Sequence, residues 1–256
     1  MRSIRTRIVR SLKIRVANAF FEEEYMKKIK RLFSYFSRGE LVLWAFSVLL
    51  ITVSFCIFDR SSFLSLTASL LGATSLIFCA KGNPVGQVLI IIFSILYGII
   101  SYSAAYYGEM ITYIGMTMPM AVASLVSWVR HPFAGKRTEV CVNRLKPRDV
   151  VLMLACTAAV TVVFYFILGA LGTANLLPGT ISVATSFAAV YLTALRSPYY
   201  AVAYGLNDIV LIILWALAVE EDISYVSVLV CFVVFLANDI YGFINWRKMQ
   251  KRQENG

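Results

Sequence analysis

Apolar residues run through this chain in eight long blocks separated by short polar turns. The blocks lie near residues 41–58, 63–80, 85–105, 109–129, 149–169, 177–195, 198–218 and 223–246. Each approaches the roughly 17 to 25 residues that a helix needs to cross a hydrocarbon core of about 30 Å. The pattern predicts an all-α integral membrane protein with eight transmembrane helices. Residues 1–38 read differently, because Ile4, Ile8, Val9, Leu12 and Val16 recur at helical spacing among Arg2, Arg5, Arg7, Arg10, Lys13 and Arg15. That alternation predicts a basic amphipathic segment on the membrane surface. An Arg-rich start is shared with transit peptides, but the Glu22-Glu23-Glu24 run followed by Lys27–Arg31 argues for a second surface helix.

Composition agrees with the pattern: of 256 residues, 59% are hydrophobic and 15% are charged, against about a quarter charged in soluble domains. The net charge of +10 does not make a nucleic-acid surface, because the basic residues sit at the ends of apolar runs. Instead they set orientation. With the N-terminus in the cytoplasm, Arg60 is the one basic residue in an external turn, so 23 of the 24 Lys and Arg face one side. Both termini are then cytoplasmic, and Asp59, Glu109, Glu220, Glu221 and Asp222 fall outside. Of five cysteines, four lie within apolar runs and Cys141 sits alone in a basic loop, so no disulfide framework, metal site or cofactor is expected.

An internal repeat follows when Lys81-Gly82-Asn83-Pro84 is set over Leu195-Arg196-Ser197-Pro198. Trp128 then matches Trp246 after a short gap. The match groups spans 2-3-4 with spans 6-7-8 as two parallel three-helix repeats, the arrangement known from SWEET transporters. In this 1+3+1+3 layout, residues 39–62 form an additional first helix and 63–130 the first repeat. A basic cytoplasmic loop covers 131–148, a linker helix 149–172, the second repeat 173–248 and a cytoplasmic tail 249–256.

Polar residues inside the spans point to a site between the repeats. Asn207-Asp208 lies at the middle of span 7 and Asn238-Asp239 toward the end of span 8. A charge at mid-membrane costs about 2.5 to 3.5 kcal/mol even on lenient insertion scales and persists where it faces protein or a watery cavity. Tyr200, Tyr204, Asn207, Asp208, Leu211 and Trp215 share one helical face, as do Gln87, Ser94, Tyr97 and Ser101 in span 3. Rings beside amides and hydroxyls suit a small, flat, polyhydroxylated ligand. The substrate-binding candidates are Gln87, Ser94, Tyr97, Tyr204, Asn207, Asp208, Trp215 and Asn238. Single Ser and Thr residues in such helices commonly bond back to their own backbone, and Trp128 and Trp246 read first as interface anchors. Asp239 reads equally as structural or gating, and Pro119 reads first as a kink. An intramembrane enzyme would need a nucleophile with a base or metal set, whereas the single histidine, His131, lies in a loop.

The order Tyr97, Tyr107-Gly108-Glu109, Pro119, Trp128, followed by Asn207-Asp208-Ile209, Trp215, Tyr241-Gly242 and Trp246, resembles the PnuC family of nicotinamide riboside transporters over about Leu64 to Lys248. The resemblance implies a SWEET-like facilitator of nicotinamide riboside that needs no ATP and works by alternating access. It also implies a homotrimer in a bacterial inner membrane. Where many relatives carry a basic residue followed by Glu and Trp before span 7, this chain has Arg196-Ser197-Pro198-Tyr199-Tyr200. Related carriers take thiamine or riboflavin, so those substrates stay open, as does proton coupling through Asp208.

Overall fold

The computed structural model describes residues 34–173 and 175–255. The surface-helix reading of residues 1–33 lies outside the described residues. Eight described helices are long and apolar enough to cross a membrane. They are α1 (Arg38–Phe58), α2 (Phe63–Ala80), α3 (Val85–Ser103), α4 (Tyr107–Arg130), α5 (Pro147–Ala170), α6 (Leu176–Ala194), α7 (Tyr200–Val219) and α8 (Val226–Glu254). A short antiparallel hairpin, β1 (Pro132–Phe133) with β2 (Lys136–Val140), follows α4.

The described residues fall into two compact units, 34–43 and 44–255. In the first, Ser37 N–H donates to Glu40 Oε2 at 2.6 Å and Glu40 N–H donates to Ser37 Oγ at 3.2 Å. This reciprocal capping box satisfies two of the donors that a helix start leaves open, and so fixes where α1 begins. In the second unit, α2 packs on α3 and α8, α3 on α4, α4 on α6, α6 on α7 and α7 on α8, which closes a ring of helices. Helix α5 packs outside the ring on α6. Its Leu152, Leu154, Val162, Val163 and Phe166 side chains are exposed, as an apolar helix in lipid requires. The part of α1 in this unit lies against α2 and α8, where Trp44 Nε1–H donates to Thr74 Oγ1 and Asn238 Nδ2–H donates to Ser47 Oγ.

At the basic end of the ring, α4 and α8 repeat one set of bonds. Trp128 Nε1–H donates to the Thr193 carbonyl at 3.0 Å, and Trp246 Nε1–H donates to the Cys79 carbonyl at 2.8 Å. One residue earlier, Ser127 Oγ–H donates to the Ala194 carbonyl and Asn245 Nδ2–H to the Ala80 carbonyl. The turns aligned from sequence also share their backbone. Gly82 has φ +64° and Arg196 has φ +58°, both left-handed. Asn83 Oδ1 accepts from Val85 N–H as Ser197 Oγ accepts from Tyr199 N–H. Each side chain stops its turn in the same way, by mimicking a backbone acceptor.

The loop after α4 is more ordered than a plain basic connection. Val140 N–H donates to the Gly82 carbonyl and Asn143 N–H to the Arg196 carbonyl, both at 3.0 Å, so one segment ties the two equivalent turns together. The residues expected as a tail are helical through Glu254. There Gln253 accepts from Val142 N–H, and Arg252 pairs with Glu139. Pro119 produces a π-helical turn over Thr112–Thr117 rather than a simple bend. A proline lacks the N–H and crowds the carbonyl four residues back, and one wide turn relieves both faults.

Candidate functional site

A cavity of about 40 Å³ lies inside the ring at the middle of α7. Helix α7 contributes Tyr200, Tyr204, Asn207 and Asp208, and α8 contributes Phe235 and Asp239. Opposite them stand Ser75 and Cys79 of α2, Gln87 and Phe93 of α3, Tyr113 and Thr117 of α4, and Thr193 of α6. Four of the residues expected from sequence are thus brought together: Gln87, Tyr204, Asn207 and Asp208.

The other four are placed elsewhere. Ser94 Oγ–H donates to the Ile90 carbonyl of its own helix at 2.8 Å, the ordinary fate of a hydroxyl inside a membrane helix. Asn238 Nδ2 donates to Ser47 Oγ and to the Val234 carbonyl, so the side chain turns toward α1. Successive residues on a helix point about 100° apart, which leaves Asp239 as the member of that pair that meets the cavity. Trp215 stands eight residues after Asn207, about 12 Å farther along α7, and its Nε1–H donates to Tyr97 Oη at 2.6 Å.

Those last two residues belong to a plug. Trp215 also meets Tyr106 at 5.1 Å and Tyr225 at 5.3 Å between ring centroids, and Tyr97 meets Phe93, Tyr113 and Phe232 within 4.3 to 5.5 Å. Buried aromatic pairs of this kind, edge-to-face for Tyr106–Trp215 and Tyr97–Phe232 and stacked for Phe93–Tyr97, contribute about 0.5 to 1.5 kcal/mol each beyond their area. The plug closes the cavity toward the acidic end of the ring. Burial there pushes the Tyr106 phenol above its usual pKa, so it stays a neutral hydroxyl that donates to the Leu214 carbonyl. At the basic end, Trp246 meets Trp128 at 5.4 Å with tilted rings and Tyr200 edge-to-face at 5.0 Å. Aromatic clusters thus stand toward both ends of the cavity. A space of this size holds water, which needs roughly 10 to 15 Å³ per molecule on this measure, and must expand to admit a ligand of drug size, which takes a pocket of about 300 Å³ or more.

The polar groups inside are acceptors and neutral donors. The carboxyls of Asp208 and Asp239 both line the cavity, and Asp208 Oδ2 is buried with no hydrogen-bond partner among the described residues. Gln87 Nε2–H reaches Cys79 Sγ at 3.5 Å. None of the lining residues is Lys, Arg or His. Glu109, read from sequence as part of an external turn, is instead buried at 2% exposure in the first turn of α4, beside the Ser182 hydroxyl. The helix starts at Tyr107, and Gly108 lets Leu168 pack so closely that a β-carbon there would sit 2.7 Å from it. Asp239, expected as structural or gating and not as a ligand contact, lines the cavity, and Glu109 was expected in a turn. Asp239 had a usable signal, because it lies on one helical face with Phe235, Gly242 and Trp246. No group of three or more His, Cys, Asp or Glu among the described residues is arranged to hold a metal ion.

Comparisons with known proteins agree with this geometry. A family model described as "Nicotinamide mononucleotide transporter" matches residues 62–248. The nicotinamide riboside transporter PnuC of Neisseria mucosa is 28% identical over 227 residues, covering 87% of this chain and 86% of the relative. A crystal structure of the vitamin B3 transporter PnuC superposes with a TM-score of 0.75 at 26% identity, covering 85% of this chain and 94% of that one. The ring of membrane helices is that of a multi-pass transporter, and the chain belongs to the nicotinamide mononucleotide transporter family.

Proposed function

We propose that this protein carries nicotinamide riboside across the membrane by alternating access, without ATP. The observation that carries this reading is the lining of the cavity, which offers the carboxyl groups of Asp208 and Asp239 and no basic side chain. Nicotinamide riboside is a pyridinium cation with neutral ribose hydroxyls, and carboxyl oxygens without any competing cation suit it, since a carboxyl that ionises as the ligand enters offsets the cost of burying the positive charge. The mononucleotide adds a phosphate of about −1.5 to −2 charges near neutral pH, for which no Arg or Lys is available inside. The riboside is thus favoured over the mononucleotide that names the family, and the relatives' names favour nicotinamide compounds over thiamine or riboflavin.

The repeated bonds at the basic end support two parallel triplets that rock against each other. Tyr97–Trp215 closes one end and Trp128–Trp246–Tyr200 the other. Gln87, Tyr204, Asn207, Asp208 and Asp239 hold the ligand. The basic end, with the Arg130–Arg148 loop, faces the cytoplasm of a bacterial inner membrane, so both termini are cytoplasmic. The transporter assembles as a homotrimer, leaving each cavity within one chain. The test is uptake of labelled riboside into liposomes containing the purified protein. Gradient-driven uptake that persists without ATP and after collapse of the proton gradient is expected, and uptake that stops on that collapse would instead assign Asp208 to proton coupling.

A further inference from the structure

Asn207 lines the cavity, and its carbonyl oxygen lies within reach of three hydroxyls, all from α6. Thr185 Oγ1 stands at 2.8 Å, Ser186 Oγ at 3.0 Å and Ser182 Oγ at 3.4 Å from Asn207 Oδ1. Three hydroxyls around one atom exceed the two hydrogens that an amide nitrogen carries, and a carbonyl oxygen can accept from several donors at once. The Thr185 hydroxyl also lies 3.0 Å and 3.1 Å from the Ile181 and Ser182 carbonyls and shares its proton with them; the Ser182 hydroxyl, at 3.4 Å, also lies beside Glu109, and Ser186 holds the oxygen without such competition. The convergence fixes which way the amide points.

We infer that Ser182, Thr185 and Ser186 are positioning residues that lock the Asn207 amide so that its amino group faces the cavity as a hydrogen-bond donor. Asp208, the next residue on the same helix, supplies an acceptor there through Oδ2, which is buried without a partner among the described residues. A fixed donor beside a fixed acceptor is the complement of a primary carboxamide, whose oxygen accepts and whose nitrogen donates. The pair reads the carboxamide end of the ligand and leaves the ring and ribose to the aromatic and polar walls. This inference rests on the nicotinamide riboside reading above and assigns the group by which that ligand is recognised.

The test compares two ligands that share ring, charge and ribose: nicotinamide riboside and N-ribosylpyridinium, which lacks the carboxamide. Affinities are measured by calorimetry on the purified full-length protein, its Ser186→Ala variant and its Thr185→Val Ser186→Ala variant. The wild type prefers the carboxamide ligand by about tenfold or more, the scale of one or two net hydrogen bonds. In the variants, affinity for nicotinamide riboside falls by about that factor while affinity for N-ribosylpyridinium stays within about twofold, so the preference collapses. A general disturbance of the cavity would weaken both ligands equally and leave the ratio intact. An unchanged ratio in variants that still bind the riboside overturns the positioning role and spares the riboside reading. Failure of the wild type to bind nicotinamide riboside overturns both.

Discussion

Gly72 on α2 faces the ring of Phe235 on α8 so closely that a β-carbon at residue 72 would lie 2.2 Å from Phe235 Cζ and 3.1 Å from both Cε atoms. Carbon atoms settle at about 3.5 to 4.0 Å, so Gly72→Ala requires the tip of the ring to retreat by about 1.5 Å. The ring is held at its sides by Phe93 and Phe232, each 5.5 Å away between centroids, and it lines the cavity. The ring therefore gives way into the cavity. Overpacking of this order costs about 1 to 3 kcal/mol, which lowers a melting midpoint by roughly 2 to 10 °C in a chain of this size. Riboside affinity falls by about tenfold or more, because the displaced ring must return before ligand can enter. Thermal unfolding in detergent and calorimetric titration read the two effects separately. Phe235→Leu in the same background removes the clashing edge and restores both, with a coupling of about 1 to 2 kcal/mol between the two sites. If Gly72→Ala matches the wild type in stability and affinity, or if Phe235→Leu brings no relief, the close approach of α2 and α8 and its link to the cavity are refuted.

Trp128→Phe and Trp246→Phe each remove an indole donor from a buried carbonyl and should destabilise by similar amounts, about 1 to 3 kcal/mol each; a large inequality in thermal unfolding would argue against equivalent roles in the two triplets. Gly82→Ala places a β-carbon 2.9 Å from Met249 Cε on a residue with φ +64°, and a loss of about 1 to 2 kcal/mol is expected from the left-handed backbone alone. A neutral outcome in the same assay would mean that the turn relaxes freely. Trp215→Phe keeps a ring in the plug but removes the bond to Tyr97, so labelling of a cysteine introduced at the cavity from the acidic side should speed up by about tenfold, the equivalent of one hydrogen bond. Unchanged labelling would take Trp215 out of the gate.

The spans were legible because a bilayer demands length and hydrophobicity that few other structures share, and most observed helix ends fall within two or three residues of the apolar blocks. Orientation of the polar faces was legible only in part. Tyr204, Asn207 and Asp208 line the cavity, where a carboxylate and an amide at mid-span have few other places to go. Helical spacing says which residues share a face but not how far along the axis a cavity extends, so Trp215 was assigned to the ligand when it stands about 12 Å past Asn207 in the plug. It also leaves the rotation of a helix undetermined to about one residue, which is why Asn238 was chosen where Asp239 faces the cavity. Glu109 looked like a turn residue from its place between apolar runs; only the start of α4 at Tyr107 shows it to be inside. Of the three hydroxyls around Asn207, Ser182 and Ser186 fall with Thr193 on a polar stripe that helical spacing in span 6 reports, but no spacing shows that they and Thr185 converge on the Asn207 oxygen.

The account stands on an acidic, occludable cavity that selects a cationic riboside. Calorimetric titration of the purified protein with nicotinamide riboside, with nicotinamide mononucleotide, thiamine and riboflavin as competitors, tests it most directly. Saturable binding of the riboside that none of the three displaces is predicted, and its loss in Asn207→Leu, in protein that still inserts and assembles, would tie the ligand to the cavity. Tighter binding of the mononucleotide, or binding of none of these ligands, would contradict it.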